Sequence, residues 1–467
     1  MTHLPIQRSF TLFMIFTALA GQVFTGCKKD VTVPPPDTQV LGSAVFANGT
    51  IATSAVVGIY ATMQSSAANT FNGPISIYDG LAADELIASS SAPATAQTFY
   101  TNGLTSQFSE IGSHWNSLYN YIYSANVVIE GLKNAPGVTL GDNNQLTGEA
   151  KFIRGLCYFY LVNHYGDVPL IISSYIPDAQ MLARTAKETV YKQIIADLTD
   201  AQSLLSANYV TTTAYPSARV RPNKSAASAL LARVYLYTSD FVNAELQASN
   251  VIASSAYGME TLDNAFLSTS KEAIWQLMPV SFYNTAEGQA FIPSSNSVVP
   301  TYPLSSYLLN AFEVGDQRRN KWVGSSMVGT TVYYYPNKYK NRTGGSPYGE
   351  YNMVLRLPEI YLIRSEARAQ QNKLPEAAAD LNIVRTRASL PNYIVTTQAA
   401  LLSTIAHENQ IEFFAEWGHR WLDLKRTGKA DAVLGAEKTG WKSTAALWPI
   451  PYGQIQLNQA LTQNPGY

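Results

Sequence analysis

Cysteine is nearly absent from this 467-residue chain, which has only Cys27 and Cys157. Two thiols cannot build the disulfide framework of a small secreted scaffold, nor the paired Cys spacings of a zinc site. Histidine is also scarce, with five in all, and none has ligand-type spacing. His407-Glu408 is followed by Asn409-Gln410-Ile411, so the His-Glu-x-x-His motif of zinc proteases is missing. Charge is low at 14% of residues, with Lys+Arg 32 against Asp+Glu 33. That balance lacks the clustered basic surface that nucleic acid requires. Long apolar runs are lacking too. The stretch from Phe10 to Ala20 is well short of the roughly 20 apolar residues needed to span a bilayer.

What that stretch does have is the proportions of a signal-peptide core, and it leads to Val23-Phe24-Thr25-Gly26-Cys27. A small residue directly before a cysteine fits bacterial lipoprotein processing, in which the thiol receives diacylglycerol and the chain is cut before it. Residues 1–26 are therefore expected to be a leader, with Cys27 lipidated. Residues 27–40, with Pro34-Pro35-Pro36, are expected to form a stiff tether. Cleavage would leave a net charge of −2. Cys157, with no partner left, lies in the apolar stretch Phe152 to Tyr160 and is expected to be buried and inert.

From Leu41 onward the strong signals are helical. Trp115, Leu118, Tyr119, Ile122, Asn126, Val127, Ile129 and Leu132 recur at three- and four-residue spacing. Leu146 to Tyr165 predicts a second long helix, stopped at Gly166, and Thr189 to Leu205 a third. Two helical hairpins resemble each other at an offset of 133 residues. The first turns at Ser239-Asp240-Phe241 before Ala244 and Ala248, and the second at Asn372-Lys373-Leu374 before Ala377 and Leu381. Small residues facing a large-small ladder are tetratricopeptide logic. Residues 65–110 and 257–352 differ, being rich in Gly, Pro, Ser, Asn and Tyr. They hold strand-like pieces at Ala273 to Leu277 and Thr331 to Tyr335. Long irregular stretches with this aromatic content predict function rather than disorder.

Several segments together resemble one family. Gly148-Glu149-Ala150-Lys151-Phe152-Ile153-Arg154-Gly155 runs on through Tyr158-Phe159-Tyr160-Leu161-Val162 to Tyr165-Gly166-Asp167-Val168-Pro169. Arg356-Leu357-Pro358-Glu359-Ile360-Tyr361-Leu362 and Leu381-Asn382-Ile383-Val384-Arg385-Thr386-Arg387-Ala388 follow, then Glu412 to Arg426, and the chain ends Gln463-Asn464-Pro465-Gly466-Tyr467. These segments resemble the SusD/RagB family of nutrient-binding outer-membrane lipoproteins. One departure is Asn409, where the family often has arginine. The resemblance implies a mostly α fold, in which a tetratricopeptide-like helical-hairpin scaffold (mainly 41–64, 111–256 and 353–430) carries irregular ligand-binding insertions. It also implies a non-enzymatic protein on the cell surface that passes oligosaccharides, or peptides in some members, to a SusC-like TonB-dependent transporter. Lys28 after Cys27, where an inner-membrane retention cue would have Asp, fits that location.

Sugar capture suits the insertions, since aromatic rings cover the C–H faces of a pyranose while amides, carboxylates and guanidinium groups bond its hydroxyls. The candidate rings are Phe71, Tyr78, Tyr100, Phe282, Tyr283, Tyr302, Trp322 and Tyr348. The candidate polar partners are Asn72, Asp79, Asn284 and Arg342. Trp275, Trp421 and Trp448 sit in patterned segments and are expected in the core. Glu408, Glu412 and Glu416, four apart, are expected to stripe one helix face in an ion-pair network. Asp84-Glu85 is expected to cap a helix N-terminus. No motif calls for a cofactor or metal, and calcium held by carboxylates and loop carbonyls stays open. A surface hydrolase is the third reading after glycan and peptide binding. It is opposed by Gly344-Gly345-Ser346-Pro347-Tyr348, which fails the Gly-x-Ser-x-Gly pattern.

Overall fold

The computed structural model describes residues 45–66, 68–175, 181–211, 218–280, 284–344 and 349–467. The expected leader, the tether, Cys27, Phe282, Tyr283 and Tyr348 lie outside the described residues. In chain order come α1 (Gly49–Gln64), α2 (Pro74–Ala82), α3 (Ala94–Tyr100), α4 (Ser109–Leu132) and α5 (Leu140–Tyr165). Next are α6 (Lys187–Leu204), α7 (Lys224–Tyr237) and α8 (Phe241–Ile252). The second insertion holds β1 (Ala273–Leu277), α9 (Ala286–Phe291), α10 (Ser306–Ala311), α11 (Gln317–Lys321), β2 (Val323–Val328) and β3 (Thr331–Pro336). The C-terminal part is β4 (Asn352–Arg356), α12 (Leu357–Gln370), α13 (Leu374–Arg387), α14 (Gln398–Glu412), α15 (His419–Arg426), α16 (Ala430–Glu437) and α17 (Tyr452–Leu457).

The central helix is α5. Thr139 caps it by accepting the Asp142 backbone N–H, and from Gly148 onward nearly every side chain is buried. An all-round apolar helix must be covered on every side, and α4 and α6 cover two of them. Gly155 lets α6 approach closely, for a Cβ there would meet Leu198 at 3.1 Å. Cys157 lies in this helix at 0% exposure, and burial pushes its thiol pKa up. Trp275, Trp421 and Trp448 are core residues as expected, at 0%, 0% and 1%.

The hairpins α7–α8 and α12–α13 share their geometry. Ser239 and Asn372, 133 residues apart, take left-handed φ of 60° and 61° at equivalent turn positions. Ala244, Ala248, Ala377 and Leu381 are buried at the crossings. The pairs stack on each other through Arg368–Glu245 (3.0 Å), and Arg368 also reaches Asp380 (2.8 Å). β1 pairs antiparallel with β4 in an irregular register, and β2 with β3 in a regular one. Residues 65–110 hold two helices, α2 and α3, and are more regular than their composition suggests.

Two expectations need correction. Asp84 and Glu85 cap no helix, since they follow the end of α2. Asp84 takes the Arg420 guanidinium in a two-pronged pair at 2.8 and 2.6 Å, and Glu85 accepts the Ala415 backbone N–H at 3.2 Å. Burial raises the Glu85 carboxyl to about 8. Glu416 is not on a helix with Glu408 and Glu412, because α14 ends at Glu412. The chain then turns through left-handed Ala415, Trp417 and Gly418. The ion-pair network is nevertheless present, and its cations come from distant Arg318, Lys338, Arg356, Arg385 and Arg387. At the departure from the family pattern, Asn409 simply donates to Ile405 O at 3.0 Å within its own helix.

Candidate ligand-binding face

The sequence candidates separate by burial. Phe71, at 1% exposure, packs on Tyr121 (centroids 5.7 Å) and edge-on to Tyr160 (5.5 Å). Trp322, at 0%, gives its indole N–H to Leu262 O at 2.9 Å, with Lys338, Arg356 and Arg387 over its ring. Asp79 is wholly buried, and its carboxylate faces His164. These three are corrected from ligand contacts to anchors of their segments, because almost none of their surface reaches solvent. Asn284 is also buried and donates to Arg342 O at 2.7 Å, so it shapes the loop that carries Arg342.

Tyr78, Tyr100, Asn72 and Arg342 keep partial exposure, and Tyr302 a small edge. Tyr78 stands on α2, its ring stacked on Phe99 with centroids 4.1 Å apart and planes 5° apart. Burial, with Glu110 and Tyr302 nearby, pushes its phenol up to about 12. Tyr302 meets Phe291, the last residue of α9, edge to face at 6.3 Å. Arg342 reaches the same place, its Nε donating to Ile292 O at 3.1 Å. The start of α2 adjoins α9, where a Cβ on Gly73 would lie 3.2 Å from Ala286. Asn72 instead bonds Gln64 O at 3.2 Å. Tyr302 and Arg342 thus both lie against the end of α9, with Tyr78 near Tyr302, while Tyr100 belongs to a separate neighbourhood with Lys438 5.1 Å over its ring.

Backbone pairing holds the face rigid. Ile87 N–H donates to Pro303 O (2.8 Å) and Ser89 N–H to Thr301 O (3.2 Å), lacing the two insertions together, and Leu304 N–H donates to Tyr334 O (2.8 Å) within the second. The hydroxyls of Ser89, Ser91 and Thr301 line this seam at the half-buried to exposed level. Sequence reading missed Phe291, Glu110 and Tyr334, the last stacked under Arg319 at 4.3 Å. Thr285, whose side chain caps α9, was the local signal for the helix that brings Phe291 in. A cavity of about 1030 Å³ opens elsewhere, among Asn163, Tyr191, Tyr237, Lys425 and Leu447, and none of the sequence candidates lines it. Among the described residues no group of three or more His, Cys, Asp or Glu is placed to hold a metal ion.

Comparison with known proteins places this architecture. Residues 41–236 match the family described as "Starch-binding associating with outer membrane", and residues 313–467 match the SusD family. The chain belongs to the SusD/RagB family. A SusD-like protein of Formosa agariphila is 23% identical over 82% of this chain and 86% of its own. Among solved structures, a SusD superfamily protein from Bacteroides vulgatus aligns with TM-score 0.79 at 19% identity, covering 90% of this chain and 100% of that one. A laminarin binding SusD-like protein aligns with TM-score 0.76 at 26% identity, with the same coverage of each. The SusD fold, with its stacked helical hairpins, is thus common to this chain and those neighbours.

Proposed function

We propose that this SusD-like protein captures neutral oligosaccharides on the face formed by Tyr78, Tyr302 and Arg342 and delivers them to a SusC-like TonB-dependent transporter. The observation that carries the reading is one half-buried phenol ring and the edge of a second, set near one guanidinium and a seam of hydroxyls. Flat apolar faces beside neutral hydrogen-bonding groups suit a sugar ring. The laminarin-binding neighbour of the same fold supports a glycan as the ligand class. Dense charge, which peptide termini would demand, is absent from these three side chains. Cys27 would hold the protein at the outer membrane, since two or three acyl chains anchor where one binds only marginally.

Removing either ring takes away a stacking surface. Tyr302→Ala and Tyr78→Ala are each expected to weaken oligosaccharide binding by about tenfold or more, measured by calorimetry, with peptides unbound. Unchanged glycan affinity in both variants would sink the assignment of the face. For the anchor, Cys27→Ser should move the protein from the membrane fraction to the soluble one. Continued membrane retention in detergent-sensitive form would contradict lipidation at Cys27.

A further inference from the structure

Four buried side chains behind this face form one continuous hydrogen-bonded chain. Thr70 Oγ1 lies 3.3 Å from His114 Nδ1, and His114 Nε2 lies 3.0 Å from His164 Nδ1. His164 Nε2 lies 3.0 Å from each oxygen of Asp79. Every ring nitrogen of both histidines has one partner, so no donor or acceptor of the pair is left over. Thr70, His114, His164 and Asp79 are exposed by only 1%, 4%, 0% and 0%, which keeps them from touching a ligand themselves.

The chain ends beside Tyr78, because Asp79 is the next residue on α2. A second arm reaches the same ring. Trp448 stacks on His164 (4.1 Å, 12°) and lies 5.4 Å from Phe99, which in turn stacks on Tyr78. His164 is therefore linked to Tyr78 by two routes, through the carboxylate of the next residue on α2 and through the ring on which Tyr78 stacks. Such support matters because α2 has nine residues, too few to be stable alone. A polar chain of this kind, fully satisfied in a low-dielectric interior, specifies one arrangement.

We propose that Thr70, His114, His164 and Asp79 are positioning residues that set the Tyr78 ring for ligand, with Trp448 and Phe99 as the second arm. The proposal rests on the reading of Tyr78 as a binding residue, and its test has one arm that needs no ligand. In protein carrying 3-fluorotyrosine, the Tyr78 fluorine resonance is assigned with Tyr78→Phe. Thr70→Val and His164→Gln should shift or broaden it while leaving the Tyr100 resonance in place. An unmoved Tyr78 resonance in a folded His164→Gln protein would overturn the proposal. If His164→Gln fails to fold, the milder Thr70→Val decides in the same way.

The second arm titrates laminarin oligosaccharides into single and double variants. His164→Gln should weaken binding about tenfold, and neither it nor Thr70→Val should weaken it further in a Tyr78→Ala background. Additive losses there would mean that the chain acts on folding rather than through Tyr78. Wild-type affinity of Tyr78→Ala alone would remove the binding face, while the fluorine arm still decides whether the chain positions the ring.

Discussion

Glu412→Gln is expected to cost about 3–5 kcal/mol of folding stability, the range found when one partner of a buried ion pair is removed. Glu412 is 0% exposed and is the hub of the network. One carboxylate oxygen accepts from Arg356 (2.5 Å) and Arg387, and the other from Arg318 (3.0 Å). Its backbone carbonyl takes Lys338 and Arg356, at 2.8 Å each. These cations arrive from α11, the end of β3, β4 and α13, so the residue joins the second insertion to the C-terminal helices. The amide keeps the shape but removes the charge that offsets three buried guanidinium groups. Burial alone would raise the Glu412 carboxyl, yet Arg387, Arg356 and Arg318 outweigh it and hold it well below the ordinary carboxylate range. A carboxyl depressed in the folded state stabilises above its unfolded pKa, and that contribution is lost only as pH falls through the depressed value. The penalty of the variant, read from urea unfolding, should therefore stay constant from neutral pH down to the ordinary carboxylate range and shrink below it. The exposed pair Lys321–Asp263 is the control, at 45% and 59% side-chain exposure. Asp263→Asn should change stability by no more than about 1 kcal/mol.

The second large effect is expected at Gly418. Its φ of +71° is left-handed, and a Cβ there would lie 2.0 Å from Asp79 Oδ2. Gly418→Ala must bear backbone strain and also push the buried carboxylate away from His164, for a combined loss of about 2–4 kcal/mol. Gly428 separates the two causes, since it has φ +67° with nothing within 4 Å of its Cβ position. Gly428→Ala should lose only the strain, about 1–2 kcal/mol. Thermal unfolding of the two variants side by side checks the difference. Equal losses would mean that the close approach to Asp79 carries no weight.

Much of the scaffold was legible because helices write their packing into local spacing. Of the expected face, Trp115, Leu118, Ile122, Asn126, Ile129 and Leu132 are buried, and Tyr119 and Val127 are half-buried at its margin. The hairpin offset of 133 residues returned even the left-handed turn residue. The strand at Ala273–Leu277 was bounded by its own composition and is found at those limits. The candidate face was far less legible. Phe71 and Trp322 sit in Gly- and Asn-containing stretches much as Tyr78 does, and Tyr302 sits in a Pro- and Ser-containing one. Nothing local says which way a loop ring turns, and only tertiary packing sends the first two inward. The cations around Glu412 could not be assigned either. Arg318 lies 94 residues away in sequence, and the nearer Arg420 is drawn instead to Asp84. The histidine chain had no spacing signature, since His114 and His164 are brought together only by the packing of α4 on α5.

Binding of a neutral glycan on the face of Tyr78, Tyr302 and Arg342 can be measured outright. A glycan array probed with the soluble protein from Val31 onward, followed by calorimetry on the strongest glycan and on a peptide mixture, tests it most directly. Selective, saturable binding of one neutral oligosaccharide class, lost in Tyr302→Ala, is the expected result. Flat, unsaturable signals across all neutral glycans, with saturable binding of peptides, would contradict it.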